Sequence, residues 1–124
     1  MSSTATDKPT FELSVSDQPG AKVFHLKGRL MDQQQADHLM KALDEHLGDK
    51  DGLNVVLDMG QLLYMNSTGL NIMISVLQRT KKTGGKVVLA AVSHGVRQLF
   101  LVTKLDTVFP ILDSVEGAMN SLRA

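Results

Sequence analysis

The sequence of 124 residues predicts one small α/β domain built on a mixed β-sheet. Two observations support this fold class. Near the N-terminus, two segments with extended, alternating patterns flank a turn, which is typical of a β-hairpin. Further along, two short apolar runs flank a segment with helical periodicity, and this order indicates a βαβ unit with parallel strands and a right-handed crossover.

The N-terminal part divides into a leader and a hairpin. Residues 1–10 are small and polar, so we expect a flexible leader before a domain that spans residues 11–124. Phe11–Ser16 alternates between apolar and polar side chains, as a half-buried strand does. Asp17–Gly20 supplies turn residues, and the extended pattern resumes at Val23–Lys27.

The first helix is predicted from Gln33 to about Leu47. Asp32 is placed to cap its start, because a short side-chain oxygen can accept from the unpaired N–H groups of the first turn. Gly48 follows as a stop. The apolar face of this helix consists of Ala36, Leu39, Met40, Leu43 and Leu47.

The βαβ unit begins with an apolar strand at Leu53–Asp58, which ends before Gly60. A helix begins near Ser67, with either Ser67 or Asn66 as its N-cap, and ends at a Gly-Gly pair. The apolar run Lys86–Ala91 is the next strand. The core face predicted for the helix consists of Leu70, Met73, Ile74 and Leu77.

Three shorter elements complete the predicted fold. Residues 95–102 favour a helix, residues 108–111 favour an extended segment, and residues 114–122 favour a last helix capped by Asp113 or Ser114. The sequence therefore predicts about four helices packed on the sheet.

Composition excludes several classes of function. Lys+Arg and Asp+Glu are both 13, so the net charge is zero and nucleic acid is not an expected partner. The chain has no cysteine, which removes disulfides and thiolate chemistry. No uncharged apolar run approaches the roughly 18 residues that cross a bilayer. We expect a cytoplasmic protein that binds neither membrane nor nucleic acid.

The sequence offers no convergent catalytic or metal site. Asp58 or Asp32 could act as a base, but the sequence identifies no partner for either carboxylate. His38 and His46 would lie about 12 Å apart along the first helix, too far to share a metal ion. Gly84–Lys86 precedes a strand instead of opening a helix, so it is a turn and not a phosphate loop. We expect no enzyme activity, metal or cofactor.

Ser67 has a second interpretation besides capping. A helix N-terminus offers free N–H donors and the positive end of the helix dipole, so a phosphate on a hydroxyl there is tolerated without unfolding. The added charge of about −1.5 to −2 would oppose an acidic or apolar partner docked at that position. Ser67 is therefore a candidate phosphorylation switch.

The motifs of the chain resemble those of the STAS domain family, specifically the bacterial anti-sigma factor antagonists of partner-switching systems. The resemblance covers residues 11–122. Its most specific part is Tyr64–Leu70, which is similar to the family's Asp-Ser-Ser/Thr-Gly-Leu motif. This segment follows the strand that contains Val56–Asp58, as it does in the family. Gly28–Asp32 is similar to a second family motif, Gly-x-Leu-Asp, with one residue inserted. A third match comprises residues 84–89, 105–106 and 108–111.

The resemblance implies a function and its partners. Ser67 matches the serine that a partner kinase phosphorylates, although Asn66 stands where the family usually has aspartate. The implied partners are a serine-kinase/anti-sigma factor of the GHKL type, bound when Ser67 is unmodified, and a serine phosphatase of the PP2C type. The expected partner-binding residues are Asp32, Met65, Asn66, Thr68, Gly69, Leu70, Asn71, Ile72 and Val76. The alternative is a STAS scaffold or accessory subunit, in lipid transport or a signalling complex, in which Ser67 carries no phosphate.

Helical geometry extends the expected binding surface beyond the motif. At 100° per residue, Ile72 and Val76 lie on a flank between the predicted core face and the polar face. We hypothesise that they form an exposed patch next to Ser67. The alternative is that neighbouring elements cover them, as happens to most apolar helix residues.

Overall fold

The computed structural model describes residues 11–123, so the leader predicted at residues 1–10 lies outside the described residues, as does Ala124. The predicted α/β class is confirmed. The elements are β1 (Phe11–Gln18), β2 (Ala21–Leu30), α1 (Gln33–Leu47), β3 (Asn54–Met65), α2 (Ser67–Lys82), β4 (Val87–Ala90), α3 (His94–Val102), β5 (Ile111–Leu112) and α4 (Val115–Arg123). A short 3-10 helix, Leu105–Thr107, lies between α3 and β5.

The five strands form one mixed sheet in the order β1-β2-β3-β4-β5. β1 pairs with β2 in the antiparallel sense, which confirms the predicted hairpin. β2, β3, β4 and β5 are parallel to one another, which confirms the βαβ unit. The carboxyl ends of β2 and β3 therefore lie together where α2 begins, whereas β4 ends beside Asp58.

Helices cover the two faces of the sheet unequally. Because successive strand residues point to opposite faces, Phe24 and Leu57 pack on one side with α1, α2 and α3, while Val23 and Val56 pack on the other with α4. α4 contributes Ala118 and Met119 to this smaller core. Within residues 11–123, no helix packs over the part of the second face formed by β1 and the middle of β2 and β3, which we call the open face.

β3 is longer than the sequence predicts. It continues to Met65, seven residues beyond the predicted end at Asp58, and passes through Gly60 without a break. The extension pairs with β2 through two irregularities in register, between His25 and Lys27 and between Gly28 and Arg29. β4 pairs with β3 only as far as Asp58. The predicted segment at 108–111 is also displaced, because the strand is Ile111–Leu112.

The buried face of α2 is rotated from the predicted one. Leu70 and Met73 are buried as predicted, but Ile74 and Leu77 are only partly buried. The buried side of the helix consists of Gly69, Leu70, Ile72, Met73, Val76 and Thr80. One cause is the contact with α1, since the Arg79 guanidinium donates to the carboxylate of Asp44 at 2.6 Å and to the carbonyl of Gly48 at 2.8 Å.

The first turn of α2 lies directly against the ends of β2 and β3. A Cβ atom added to Gly69 would lie 2.6 Å from the carbonyl oxygen of Leu30 and 2.4 Å from Cγ of Met65. One of these neighbours is backbone and cannot rotate away. The position therefore requires glycine, because no other residue permits this distance between helix and sheet.

We predict that Gly69→Ala destabilises the protein although alanine is the better helix former. Overpacking a tight site costs about 1–3 kcal/mol, which exceeds the gain of about 0.5–1 kcal/mol from replacing a helical glycine. Gly95→Ala in α3 is the matched control, because no atom lies within 4 Å of the added Cβ. Urea unfolding of both variants measures the difference, and equal stability of the two would contradict the close contact.

Candidate functional site

The candidate site lies where β3 passes into α2. Ser67 is the first residue of α2 and its side chain is exposed. Thr68 follows in the first turn and is partly exposed. The predicted junction is confirmed here, and it places the Ser67 hydroxyl at the carboxyl end of the parallel strands.

Asn66 is the residue that caps α2, so the choice left open by the sequence is settled. Its side-chain oxygen Oδ1 accepts a hydrogen bond from the backbone N–H of Gly69 at 3.1 Å. Its side-chain nitrogen Nδ2 donates to the carbonyl of Met31 at 3.1 Å. One amide thus holds the helix start and ties it to the loop after β2, and the Ser67 hydroxyl is not needed for the cap.

The loop after β2 is fixed by its own cap. Asp32 accepts from the backbone N–H of Gln35 at 2.9 Å, which confirms its predicted role as the N-cap of α1. The Gln35 side chain returns the interaction by accepting from the backbone N–H of Asp32 at 3.2 Å, and it also accepts from the backbone N–H of Met31 at 2.7 Å. This capping box positions Met31, whose carbonyl receives Asn66, and leaves the Asp32 side chain exposed at the neighbouring turn.

The electrostatics of the α2 N-terminus favour an anion. The first N–H groups of a helix have no acceptor within the helix, and the dipole places partial positive charge there. No residue in the first turn of α2 is acidic, and the basic residues Arg79, Lys81 and Lys82 lie in its last turn. A phosphate on Ser67 would therefore meet donors and no competing carboxylate from its own turn.

The other predicted site residues fall into two groups. Asn71 is exposed one turn after Ser67, and it shares the accessible side of the helix with Ser67 and Thr68. Met65 is 1% exposed and Gly69 is buried, so both support the site from within. Leu70 is also buried. Only the first group is available for direct contact with a partner.

The hypothesis of an exposed patch at Ile72 and Val76 is wrong. Ile72 is 7% exposed and Val76 is fully buried, and both belong to the main core. The reason is the rotation of α2, which turns this flank of the helix inward. The alternative considered from the sequence, that neighbouring elements cover these residues, is confirmed.

Two apolar side chains that the sequence analysis did not select are exposed just before Ser67. Leu63 is 75% exposed and Tyr64 is 48% exposed. Both lie on the extension of β3 beyond the last residue that pairs with β4, so no strand in the described part of the chain covers that side. Residues 61–65 do not alternate between polar and apolar side chains, so the sequence carries no period-two signal for this extension.

A second cluster that the sequence did not reveal lies on the open face of the sheet. Nδ1 of His25 lies 2.7 Å from a carboxylate oxygen of Asp58. Nε2 of His25 lies 3.0 Å from the hydroxyl of Ser16. Asp58 thus has the partner that sequence reasoning could not identify, because it lies 33 residues away on the adjacent strand.

Neither a metal site nor a membrane-spanning helix is found among residues 11–123. Within residues 11–123, no three His, Asp or Glu side chains converge as metal ligands. Among the described helices, none combines the length and apolar composition that crossing a bilayer requires.

Sequence comparison finds one matching family profile and several related proteins. A family profile described as the STAS domain matches residues 12–118. BtrV of Bordetella bronchiseptica is 34% identical over 70 residues, which cover 56% of this chain and 60% of that protein. The anti-sigma F factor antagonist of Paenibacillus polymyxa is 23% identical over 111 residues, which cover 90% of this chain and 94% of the relative.

Structural comparison gives the same family of folds. An anti-sigma factor antagonist from Mycobacterium paratuberculosis superposes with a TM-score of 0.76 and 25% identity, covering 92% of this chain and 95% of that one. The anti-sigma factor antagonist SpoIIAA in its unphosphorylated form superposes with a TM-score of 0.73 and 19% identity. The match covers 91% of this chain and 96% of SpoIIAA. The phosphorylated form of SpoIIAA from Bacillus superposes with a TM-score of 0.67 and 17% identity. This match covers 91% of this chain and 99% of that one.

We predict that Asn66→Ala lowers the free energy of unfolding by about 1–3 kcal/mol, since it removes both the cap and the hydrogen bond to Met31. Asn66→Asp keeps the cap acceptor but cannot donate to the Met31 carbonyl, so its loss should be smaller. Asn71→Ala, at an exposed position of the same helix, should change stability by less than about 0.5 kcal/mol. Urea unfolding measures all three, and a neutral Asn66→Ala would contradict the bridging role.

Proposed function

This chain belongs to the STAS domain family, and on that premise we propose that it is an anti-sigma factor antagonist whose binding is switched by phosphorylation of Ser67. The relative from Paenibacillus polymyxa, which matches over nearly its whole length, carries the name of such an antagonist. The expected absence of enzyme activity belongs to this proposal, since the protein acts by binding.

The observation that supports the proposal most directly is the division of roles between Asn66 and Ser67. Asn66 supplies the cap of α2, while Ser67 presents an exposed hydroxyl at the first helical position. A kinase can therefore modify Ser67 without removing an interaction that holds the fold together. A serine that served as the cap itself would have to exchange its hydroxyl acceptor for a phosphate oxygen when phosphorylated.

The phosphate changes the surface more than the fold. It adds about −1.5 to −2 charges and three strong acceptor oxygens. The N–H groups of the α2 N-terminus and the helix dipole stabilise that charge in the free protein. A partner docked on Ser67 would have to desolvate the phosphate or hold a negative charge against it. Both are unfavourable, so the partner is released.

The proposed partners act on this one residue. A serine-kinase/anti-sigma factor of the GHKL type binds the unmodified protein and phosphorylates Ser67. A serine phosphatase of the PP2C type removes the phosphate and restores binding. This cycle takes place in the cytoplasm and needs no metal or cofactor on the antagonist itself.

The docking surface is proposed to combine polar and apolar residues around Ser67. Thr68 and Asn71 are accessible on α2, and Asp32 is exposed at the turn joined to Asn66 through Met31. Leu63 and Tyr64 replace Ile72 and Val76 as the apolar part, because they are exposed where the latter pair is buried. Exposed aromatic and aliphatic side chains of this kind are frequent anchors of protein interfaces.

A STAS scaffold or accessory subunit remains the second candidate. The observation that favours it is Asn66, a neutral residue where the family usually has aspartate, engaged in a hydrogen bond that aspartate cannot make. In that function the protein would bind a partner stably, and Ser67 would carry no phosphate.

We predict that a serine kinase encoded beside this protein transfers one phosphate from ATP to Ser67, and that the kinase dissociates as a result. Mass spectrometry maps the phosphate, and size-exclusion chromatography follows the complex. Ser67→Ala should bind the kinase without release, while Thr68→Ala should still be phosphorylated. Stable binding of the native chain without phosphate would favour the scaffold.

We predict that Leu63→Glu weakens binding of this kinase at least tenfold while the protein stays folded. Val102→Glu is the matched control, because Val102 is also 75% exposed and lies at the end of α3, outside the segment that joins β3 to α2. Isothermal titration calorimetry and circular dichroism measure binding and fold. Equal affinities of the two variants would exclude Leu63 from the interface.

A further inference from the structure

The open face of the sheet carries a chain of hydrogen bonds unrelated to Ser67. Ser16 on β1, His25 on β2 and Asp58 on β3 lie on three adjacent strands: Asp58 is paired with His25 in register, and Ser16 is diagonal to His25, two residues from its register partner. The Ser16 hydroxyl lies 3.0 Å from Nε2 of His25, and Nδ1 of His25 lies 2.7 Å from Oδ2 of Asp58. This is the order of groups that activates a serine nucleophile.

The hydrogen bonds define the role of each atom. An ionised Asp58 carboxylate can only accept, so neutral His25 carries its proton on Nδ1. Nε2 is then the unprotonated nitrogen and accepts from the hydroxyl of Ser16. In this arrangement the imidazole is oriented as a base toward Ser16, and Asp58 stabilises the imidazolium that forms when the proton is taken.

The sheet backbone holds this arrangement in place. The second oxygen of Asp58 accepts from the backbone N–H of Gly60 at 3.1 Å, so both carboxylate oxygens have defined partners. His25 and Asp58 are directly paired in the parallel register of β2 and β3. Groups held on paired strands keep their geometry better than groups on loops.

The cluster is accessible to a small molecule. The side chain of His25 is 39% exposed and that of Asp58 is 25% exposed. Both line a groove of about 320 Å³ on the open face, together with Glu12, Ser14, Lys27 and Gln61. Ser16 is partly exposed and adjoins this groove through its contact with His25. Lys27 and Glu12 lie 3.9 Å apart as an ion pair, and Gln61 adds a neutral donor. A small ester with a short, polar acyl group fits this chemistry.

We propose that Ser16, His25 and Asp58 form a second functional site, in which Ser16 accepts an acyl group from a small ester. Oγ of Ser16 attacks the ester carbonyl carbon while its proton passes to Nε2 of His25. The bond from that carbon to the leaving oxygen breaks, and the leaving alkoxide takes the proton from His25 as it departs as an alcohol. The products are acyl-Ser16 and neutral His25.

The test uses the full chain with a fluorophosphonate probe, with which Ser16 forms an O–P bond as fluoride leaves. We expect a single adduct on Ser16 by peptide mass spectrometry and none in Ser16→Ala. Loss of a general base typically costs about 10²–10⁴-fold, so His25→Gln should slow labelling by at least about 100-fold. p-Nitrophenyl acetate should likewise transfer one acetyl group to Ser16 with release of p-nitrophenolate.

Two variants serve as controls. Ser75→Ala removes a serine of α2 that does not line the groove, and should label at the native rate. Ser67→Ala should also label at the native rate, which separates this site from the phosphorylation switch. The proposal fails if the native chain labels no faster than Ser16→Ala, if the adduct lies on another residue, or if folded His25→Gln keeps the native rate.

Discussion

The contact between the first turn of α2 and the ends of β2 and β3 is the constraint on which the rest of the site depends. At Gly69 the helix backbone comes so close to the Leu30 carbonyl that no Cβ fits between them. Asn66 reinforces the contact with one hydrogen bond into α2 and one to Met31. Together these interactions fix where α2 starts and turn the Ser67 hydroxyl to solvent.

The unequal lengths of β3 and β4 shape the surface beside this helix start. β3 continues to Met65, whereas β4 ends at Ala90, so the last part of β3 has β2 on one side and no β4 residue on the other. Leu63 and Tyr64 are exposed for this reason. Because β3 outruns β4, an apolar surface lies exposed just before Ser67. The proposed switch therefore combines a modifiable hydroxyl with an apolar surface close to it in sequence.

The uneven covering of the sheet accounts for the second site. α4 packs over Val56, Val88 and Ala90, and the neighbouring area over β1 and the middle of β2 stays open. Ser16, His25 and Asp58 face this open area and bond to one another across the strands, since no helix within residues 11–123 packs over them. The Ser67 hydroxyl lies on α2 and the Ser16 hydroxyl on β1, although β3 contributes residues to both sites.

The sequence by itself determined the local features of this protein. Turn residues placed the hairpin, Asp32 and Gly48 bounded α1, and the change of period located α2 and its exposed serine, because caps and periodicity depend on residues close along the chain. Only the tertiary structure decided which flank of α2 is buried, how far β3 extends past Gly60, and that His25 meets Asp58. Ile72 and Val76 lie on an apolar flank whose burial depends on what packs against it, and the pairing of His25 with Asp58 depends on strand register. Each of these outcomes comes from contacts between distant segments, which no local pattern of side chains encodes.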